Sequence, residues 1–402
     1  MPSLTAPLTR SDPGPRATRG RWIWTLSGVI TVALLAVFGS WALVRASDGP
    51  GAQPPLSAIP TRTVTVSQPV TSVSVTSYGA PIRLARGPVG QVTVVEGITF
   101  ADKGPPPQVT ARVSHGTLTL AAPSCVSAGC SVRFLVTVPT SVAVNASSEG
   151  GEISVSGATT ANLESGGGPV TATGTAGALT VTSEGGSITA AGAGSADLDS
   201  GGGPIMASAV SGVVTANAAG GSITTHGTGA VSLDSGGGPV TASAVRGTVA
   251  ASANGGSVTV TGATGANLDT GGGPAIVRAV DGPLTANTEG GELQVDRLTG
   301  PLSADTADGP VNANGVASAT VRLTTEGGGA WVNFVSAPQT VQVSTSGGPA
   351  VVTLPGGPYA VTAESFGGPE QVTVPTSPAA TSTVSVSTDS GELRITPPGA
   401  GT

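Results

Sequence analysis

The sequence predicts an all-β protein: a single-stack β-solenoid of 17- or 18-residue coils, preceded by one transmembrane α-helix. Three observations carry that expectation. Residues 150–184, 185–219, 220–254 and 255–289 are four 35-residue segments that superpose without a gap. Within them apolar and polar residues alternate, the period-2 pattern of strands with one buried face. Residues 22–44 form an apolar run without a single charge, close to the amino terminus.

Residues 1–21 carry Pro, Arg, Ser and Thr without apolar periodicity and read as a disordered cytoplasmic tail. The run from Trp22 to Val44 would make about 34 Å of helix at ~1.5 Å per residue, enough to cross a ~30 Å hydrocarbon core. Trp22, Trp24 and Trp41 stand near its ends, where indole rings favour the headgroup boundary. Arg10, Arg16, Arg19 and Arg21 precede the run and Arg45 follows it. This bias predicts a single-pass plasma-membrane protein with its amino terminus in the cytoplasm and its bulk outside. The rival reading is a cleaved signal peptide, with Val44-Arg45-Ala46 as a loose cleavage site. Against it, a signal's apolar core is usually only about 7–15 residues long. Residues 45–61 are Pro-rich and read as a linker.

Residues 62–396 read as one extracytoplasmic solenoid, with 62–144 as opening coils or cap, 145–326 as regular double repeats and 327–396 as irregular terminal coils. Residues 397–402 are a tail. Each regular repeat opens with Gly-Gly, at Gly150, Gly185, Gly220 and Gly255. An aliphatic column follows at Ile153, Ile188, Ile223 and Val258, and a leucine column at Leu163, Leu198, Leu233 and Leu268. Then comes Ser/Thr-Gly-Gly-Gly-Pro, ending at Pro169, Pro204, Pro239 and Pro274. Each repeat divides into two similar halves, a glycine turn and strand followed by a second turn and strand. Coils this short cannot bury a face alone and must stack on their neighbours. Glycine is expected to supply positive φ at the corners.

Composition narrows the function. Charged residues are 10% and aromatics 3% of the chain, with two His and two Cys, which leaves little material for catalysis. Residues 46–402 hold 11 basic against 22 acidic side chains, a balance that argues against nucleic acid, whose binding rests on neutralising phosphates.

A family pattern runs through the same residues. Gly116-Thr117-Leu118-Thr119-Leu120 leads to a strand ending in Val138-Pro139. Residues 141–147 read Ser-Val-Ala-Val-Asn-Ala-Ser, and Gly151-Glu152-Ile153-Ser154-Val155 opens a series of Gly-x-aliphatic-x-Val/Ala units. Over roughly residues 60–396 the chain resembles the bacterial putative-adhesin family of β-solenoid domains, DUF4097. The resemblance implies that fold and an adhesin-like role, and it brings no catalytic residues. The strict 35-residue duplication and the Gly-Gly-Gly-Pro corners depart from the family's looser pattern.

Candidate sites are few. Acidic residues recur beside the glycines, at Glu149, Glu164, Glu184, Asp199, Asp234, Asp269, Glu289 and Glu326. Stacking would align them in one or two columns, so Glu164, Asp199, Asp234 and Asp269 are candidates for a Ca²⁺ ladder. The plainer expectation is that these acids cap turn amides. Ala219 and Asn254 interrupt one column. Cys125 and Cys130 sit in a Ser/Gly loop and are expected to form a small disulfide outside the membrane. His115 and His226 belong to no recognisable site. Trp331, Phe334, Tyr359 and Phe366 cluster late in the chain, as core of the terminal coils or as a ligand patch. Outward threonines at Thr189, Thr224 and Thr259 have the spacing of an ice-binding face, broken beside them by Met206 and Ile276. No cofactor and no catalytic residue is expected. The leading expectation is a structural or adhesin-like interaction protein of a bacterial envelope, tethered to the membrane and meeting an unidentified envelope or surface ligand. The alternatives are an envelope sensor or scaffold with a short cytoplasmic tail, and a solenoid polysaccharide-active enzyme.

Overall fold

Gly, Thr, Val and Ser disfavour helix, and every element among the described residues is a strand. The computed structural model describes residues 56–88, 90–101, 107–122, 131–139 and 142–399, all within the unit Pro54–Thr402. The expected membrane span at 22–44 and the Cys125/Cys130 pair lie outside them. The first strand, Leu56–Val66, begins within the segment the sequence assigns to the linker.

The chain is a β-solenoid with two strands per coil. The strands that follow the glycine corner are short: Ile153–Ser156, Val170–Thr173, Ile188–Ala191, Ile205–Ser208 and their successors. They pair in parallel, in register, to form one sheet. Ile153, Val170, Ile188, Ile205, Ile223, Val240 and Val258 stand side by side, so coils of 17 and 18 residues alternate and together make the 35-residue repeat. The second strand of each coil, such as Ala161–Ser165, Ala178–Ser183 and Ser195–Ser200, builds the second sheet in the same way. Inward residues of both sheets form one core. It is slender because large and small residues alternate between coils: Leu198, Ala216, Leu233, Ala251 and Leu268 are consecutive in one buried row.

Glycine has two separate roles at the corners, only one of them expected. In the Gly-Gly corners of the regular repeats positive φ occurs only at Gly255, Gly271 and Gly272, whereas it recurs at the lone glycine after the short strand: Gly157, Gly174, Gly192, Gly227 and Gly262 have φ of 78, 64, 67, 62 and 70°. Ala209 and Ala244 hold the same place in alternate coils at φ 52 and 51°, a conformation that costs an L-residue about 1–2 kcal/mol. The last glycine of the Gly-Gly-Ser and Gly-Gly-Gly-Pro corners is needed for a different reason. A β-carbon on Gly168, Gly186, Gly203, Gly221, Gly238 or Gly256 would collide with the carbonyl of the equivalent glycine one coil earlier.

Both ends of the stack run out of sequence order. Near the amino-terminal end, Ser72–Ser77 lies between Thr117–Ala121 and Ala143–Ser148, and Ile82–Arg86 between Ser131–Val138 and Ile153–Ser156. At the carboxy-terminal end, Thr383–Thr388 lies between Thr340–Thr345 and Ala360–Ser365. Leu393–Thr396 likewise lies between Ala350–Thr353 and Glu370–Val372. The first and last coils along the chain are therefore each held between two neighbours instead of forming a loose end. Antiparallel pairs, Thr110–Ser114 with Thr117–Ala121 and Leu56–Val66 with Val92–Ala101, finish the amino-terminal edges.

Deleting residues 220–254 removes two whole coils and keeps every inward column aligned. The product should stay folded and β-rich by circular dichroism and be shorter by roughly 10 Å, two strand spacings. Deleting 220–231 instead puts corners where strands belong, turns inward residues outward, and should cause misfolding.

Candidate functional site

The register decides what the acidic columns can do. Glu164, Thr182, Asp199, Asn217, Asp234, Ser252 and Asp269 form one outward row of the second sheet. Because the acid recurs every 35 residues and a coil holds about half of that, a neutral hydroxyl or amide separates each carboxylate from the next. Successive carboxylates are thus about 9.6 Å apart along the stack. At that distance two charges in water repel by only about 0.4 kcal/mol, near the limit of salt screening. The row is stable without a cation between its members. Glu149 and Glu184 lie at the glycine corner and alternate there with Gly166 and Gly201, whose β-carbons would meet their carbonyl oxygens. Among the described residues no group of three or more His, Cys, Asp or Glu converges on a metal position.

The corners are closed by buried hydroxyls, which the sequence reading missed. Ser148 Oγ accepts from the Gly151 amide, Ser183 from Gly186 and Ser200 from Gly203, each at 3.0 Å. Ser165 donates to the Gly168 carbonyl at 2.8 Å, and Thr288 and Thr306 donate to Gly291 and Gly309 at 2.6 Å. Expected as turn caps, the acids beside the glycines make no such bond among the described hydrogen bonds. Parity explains the difference. The Ser or Thr three residues before the close-packed glycine points inward, against the corner backbone, whereas Glu164, Asp199, Asp234 and Asp269 point outward. The signal was present as a Ser/Thr at a fixed offset from the glycine.

The late aromatics do not form one patch. Phe334 and Tyr359 are buried in the core, and the Tyr359 hydroxyl donates to the Pro355 carbonyl at 2.8 Å. Burial raises its pKa above the ordinary tyrosine value. Phe366 is 77% exposed at a corner, and Trp331 is 39% exposed on the outer face of the short-strand sheet. Trp331 borders a groove of about 370 Å³ with Asn314, Asn333, Val351 and Thr353. The histidines are apart: His115 Nδ1 bonds Ser114 at 2.9 Å and His226 Nδ1 bonds Ser243 at 3.0 Å. Near the amino-terminal end Glu96 is buried beside Phe134, and burial raises its carboxyl pKa while Arg62 opposite lowers it.

No family model matches the chain, and neither does any curated protein. Solved structures to which the chain shows similarity include a putative adhesin from Bacteroides fragilis, 11% identical, with a TM-score of 0.24 over 84% of this chain and 97% of that one. Another is a putative adhesin from Parabacteroides distasonis, 12% identical, TM-score 0.20, covering 85% of this chain and 97% of that one. A putative cell adhesion protein from Clostridium sporogenes is 8% identical, TM-score 0.17, covering 84% of this chain and all of that one.

Carboxylates spaced by neutral residues predict indifference to calcium. Excess EDTA should leave the melting temperature of the full chain within about 1 °C, and millimolar Ca²⁺ should not raise it. A rise of about 5 °C or more would mean that the folded state binds the ion and that the columns are cation sites.

Proposed function

We propose that the chain is a membrane-tethered, extracytoplasmic solenoid of a bacterial envelope that works by surface contact and not by catalysis. One observation carries the reading: the outer faces of both sheets are in-register rows rich in hydroxyl and amide side chains, interrupted at Met206 and Ile276 on one sheet and alternating with acids on the other. Thr171, Thr189, Thr224, Thr241 and Thr259 stand in one row, and Thr182, Asn217 and Ser252 alternate with acids in another. Such a surface repeats similar hydrogen-bonding groups along much of the stack and suits an extended partner better than a small substrate. The apolar run 22–44 and the arginines before it supply the tether and its direction. The sensor reading is weaker, because about 20 cytoplasmic residues are little material for signalling. The polysaccharide-enzyme reading needs acids and bases clustered on one face, and Arg246 is the only Lys or Arg between residues 134 and 277.

Protease added to intact spheroplasts should remove the chain beyond residue 60 and spare its amino-terminal tail. Protection of the carboxy-terminal region would contradict the orientation. Cleavage of both parts would contradict the tether.

A further inference from the structure

Toward the carboxy-terminal end of the stack three neighbouring positions of the short-strand sheet carry residues that the regular coils lack. The outward row that carries Thr171, Thr189, Thr224, Thr241 and Thr259 continues through Ile276, Gln294 and Asn312 to Trp331 and then Val351. One residue before each alternate short strand the corner carries proline, as at Pro274, Pro310 and Pro349. The strands between these carry Ser187, Ser222, Ser257 and Glu292 at that place, and the strand that holds Trp331 carries Gly329. The next outward residue along the strand, where other coils have Thr173, Ser243 or Thr261, is Asn333, with Asn314 on the preceding strand.

These changes fit together. A β-carbon on Gly329 would lie 2.6 Å from Cη2 and 2.9 Å from Cζ3 of Trp331, and 2.9 Å from Cδ of Pro349. The indole therefore folds back over the glycine backbone and against Pro349, in space that any side chain at 329 would enter. Held there, it remains 39% exposed. The groove beside it runs past Val351 to the side chains of Asn333 and Thr353, which are paired across adjacent strands. Pro398 and Gly399 also line it, and among the described residues no ionisable side chain does. The charges nearby are already engaged: Arg394 with Glu392 at 2.9 Å, and Glu292 with Asn312 at 2.9 Å.

We propose that this groove is a binding site for a neutral saccharide, with one pyranose ring seated on Trp331. The apolar C–H face of a pyranose matches the exposed indole, while its hydroxyls both donate and accept, as do the amides of Asn314 and Asn333 and the hydroxyl of Thr353. The neutral lining disfavours an anion, which would lose solvation without gaining a counter-charge. A volume of about 370 Å³ lies at the small end of ligand sites, suited to one or two sugar rings rather than a folded partner. The inference rests on the interaction role proposed above and names the ligand class for one patch of that surface. Its test does not depend on membrane topology, so either reading can fail alone.

The test is titration of the full chain, in a detergent without a sugar headgroup, with cellotriose, maltotriose and chitotriose, followed by saturation-transfer NMR and calorimetry. At least one should bind saturably with a Kd of roughly 0.1–10 mM. Trp331→Thr places there the residue that Thr171 to Thr259 supply in earlier coils and should weaken binding at least about tenfold with the melting temperature unchanged. Gly329→Pro should weaken it too by displacing the ring, and Thr224→Ala, on the same face, should not. Absence of saturable binding by all three sugars, or wild-type binding by both Trp331→Thr and Gly329→Pro, would overturn the proposal.

Discussion

The closeness of one coil to the next at the glycine corner governs the rest of the molecule. There the carbonyl of one glycine lies against the α-carbon of the glycine one coil on, from Gly151 through Gly168, Gly186, Gly203, Gly221 and Gly238 and onward. No side chain fits between them. The corner therefore sets an axial step that both sheets can share, and parallel strands on either side fall into register at the ordinary ~4.8 Å spacing. With one end of each strand fixed, a slip by one residue would expose an inward row such as Ile188, Ile205 and Ile223, so the pairing is specified by burial as well as by the corner.

That constraint shapes the surface. Perfect stacking converts any residue repeated along the sequence into a row, and alternation of 17- and 18-residue coils makes many rows two-valued. It places carboxylates at every second coil and hydroxyls or amides between them, which keeps the face acidic without forcing charges together. It also makes departures meaningful, because a large aromatic in a row of small and aliphatic side chains, with Asn312 and Val351 on either side, stands out. Trp331 over Gly329 is such a departure. At the two ends the constraint is met differently: the terminal coils along the chain are inserted beneath later or earlier segments, so the glycine column continues through Gly348, Gly391 and Gly368 out of sequence order.

Much of this architecture was legible in the sequence. Repeats at 150–289 give coil length, inward columns and corner positions directly, because period-2 alternation and glycine punctuation are local signals. Less legible was why glycine is required. Sequence cannot separate positive φ at Gly174 from steric closeness at Gly186, since both appear as Gly near a turn. Insertion of 72–86 and 383–396 between other coils was not visible, because every strand here carries the same generic alternation and pairing of distant segments leaves no local mark. Grouping Trp331 with Phe334 missed a signal that was present: residues three apart on a strand face opposite ways, so Phe334 belongs to the core and Trp331 to the surface. The hydroxyl caps at Ser165 and Ser183 were overlooked for the opposite reason, the nearby acids being the more conspicuous turn residues.

Two neighbouring glycines separate steric closeness from generic flexibility. Gly238 lies against the Gly221 carbonyl, whereas a β-carbon on Gly237 would meet nothing within 4 Å, and neither residue has a positive φ. Thermal unfolding of Gly238→Ala and Gly237→Ala is therefore the direct comparison. Overpacking at Gly238 should cost at least about 2 kcal/mol and lower the melting temperature by several degrees, while Gly237→Ala should be neutral or slightly stabilising. Equal effects from the two substitutions would contradict the close-packed glycine column as the element that sets the stack.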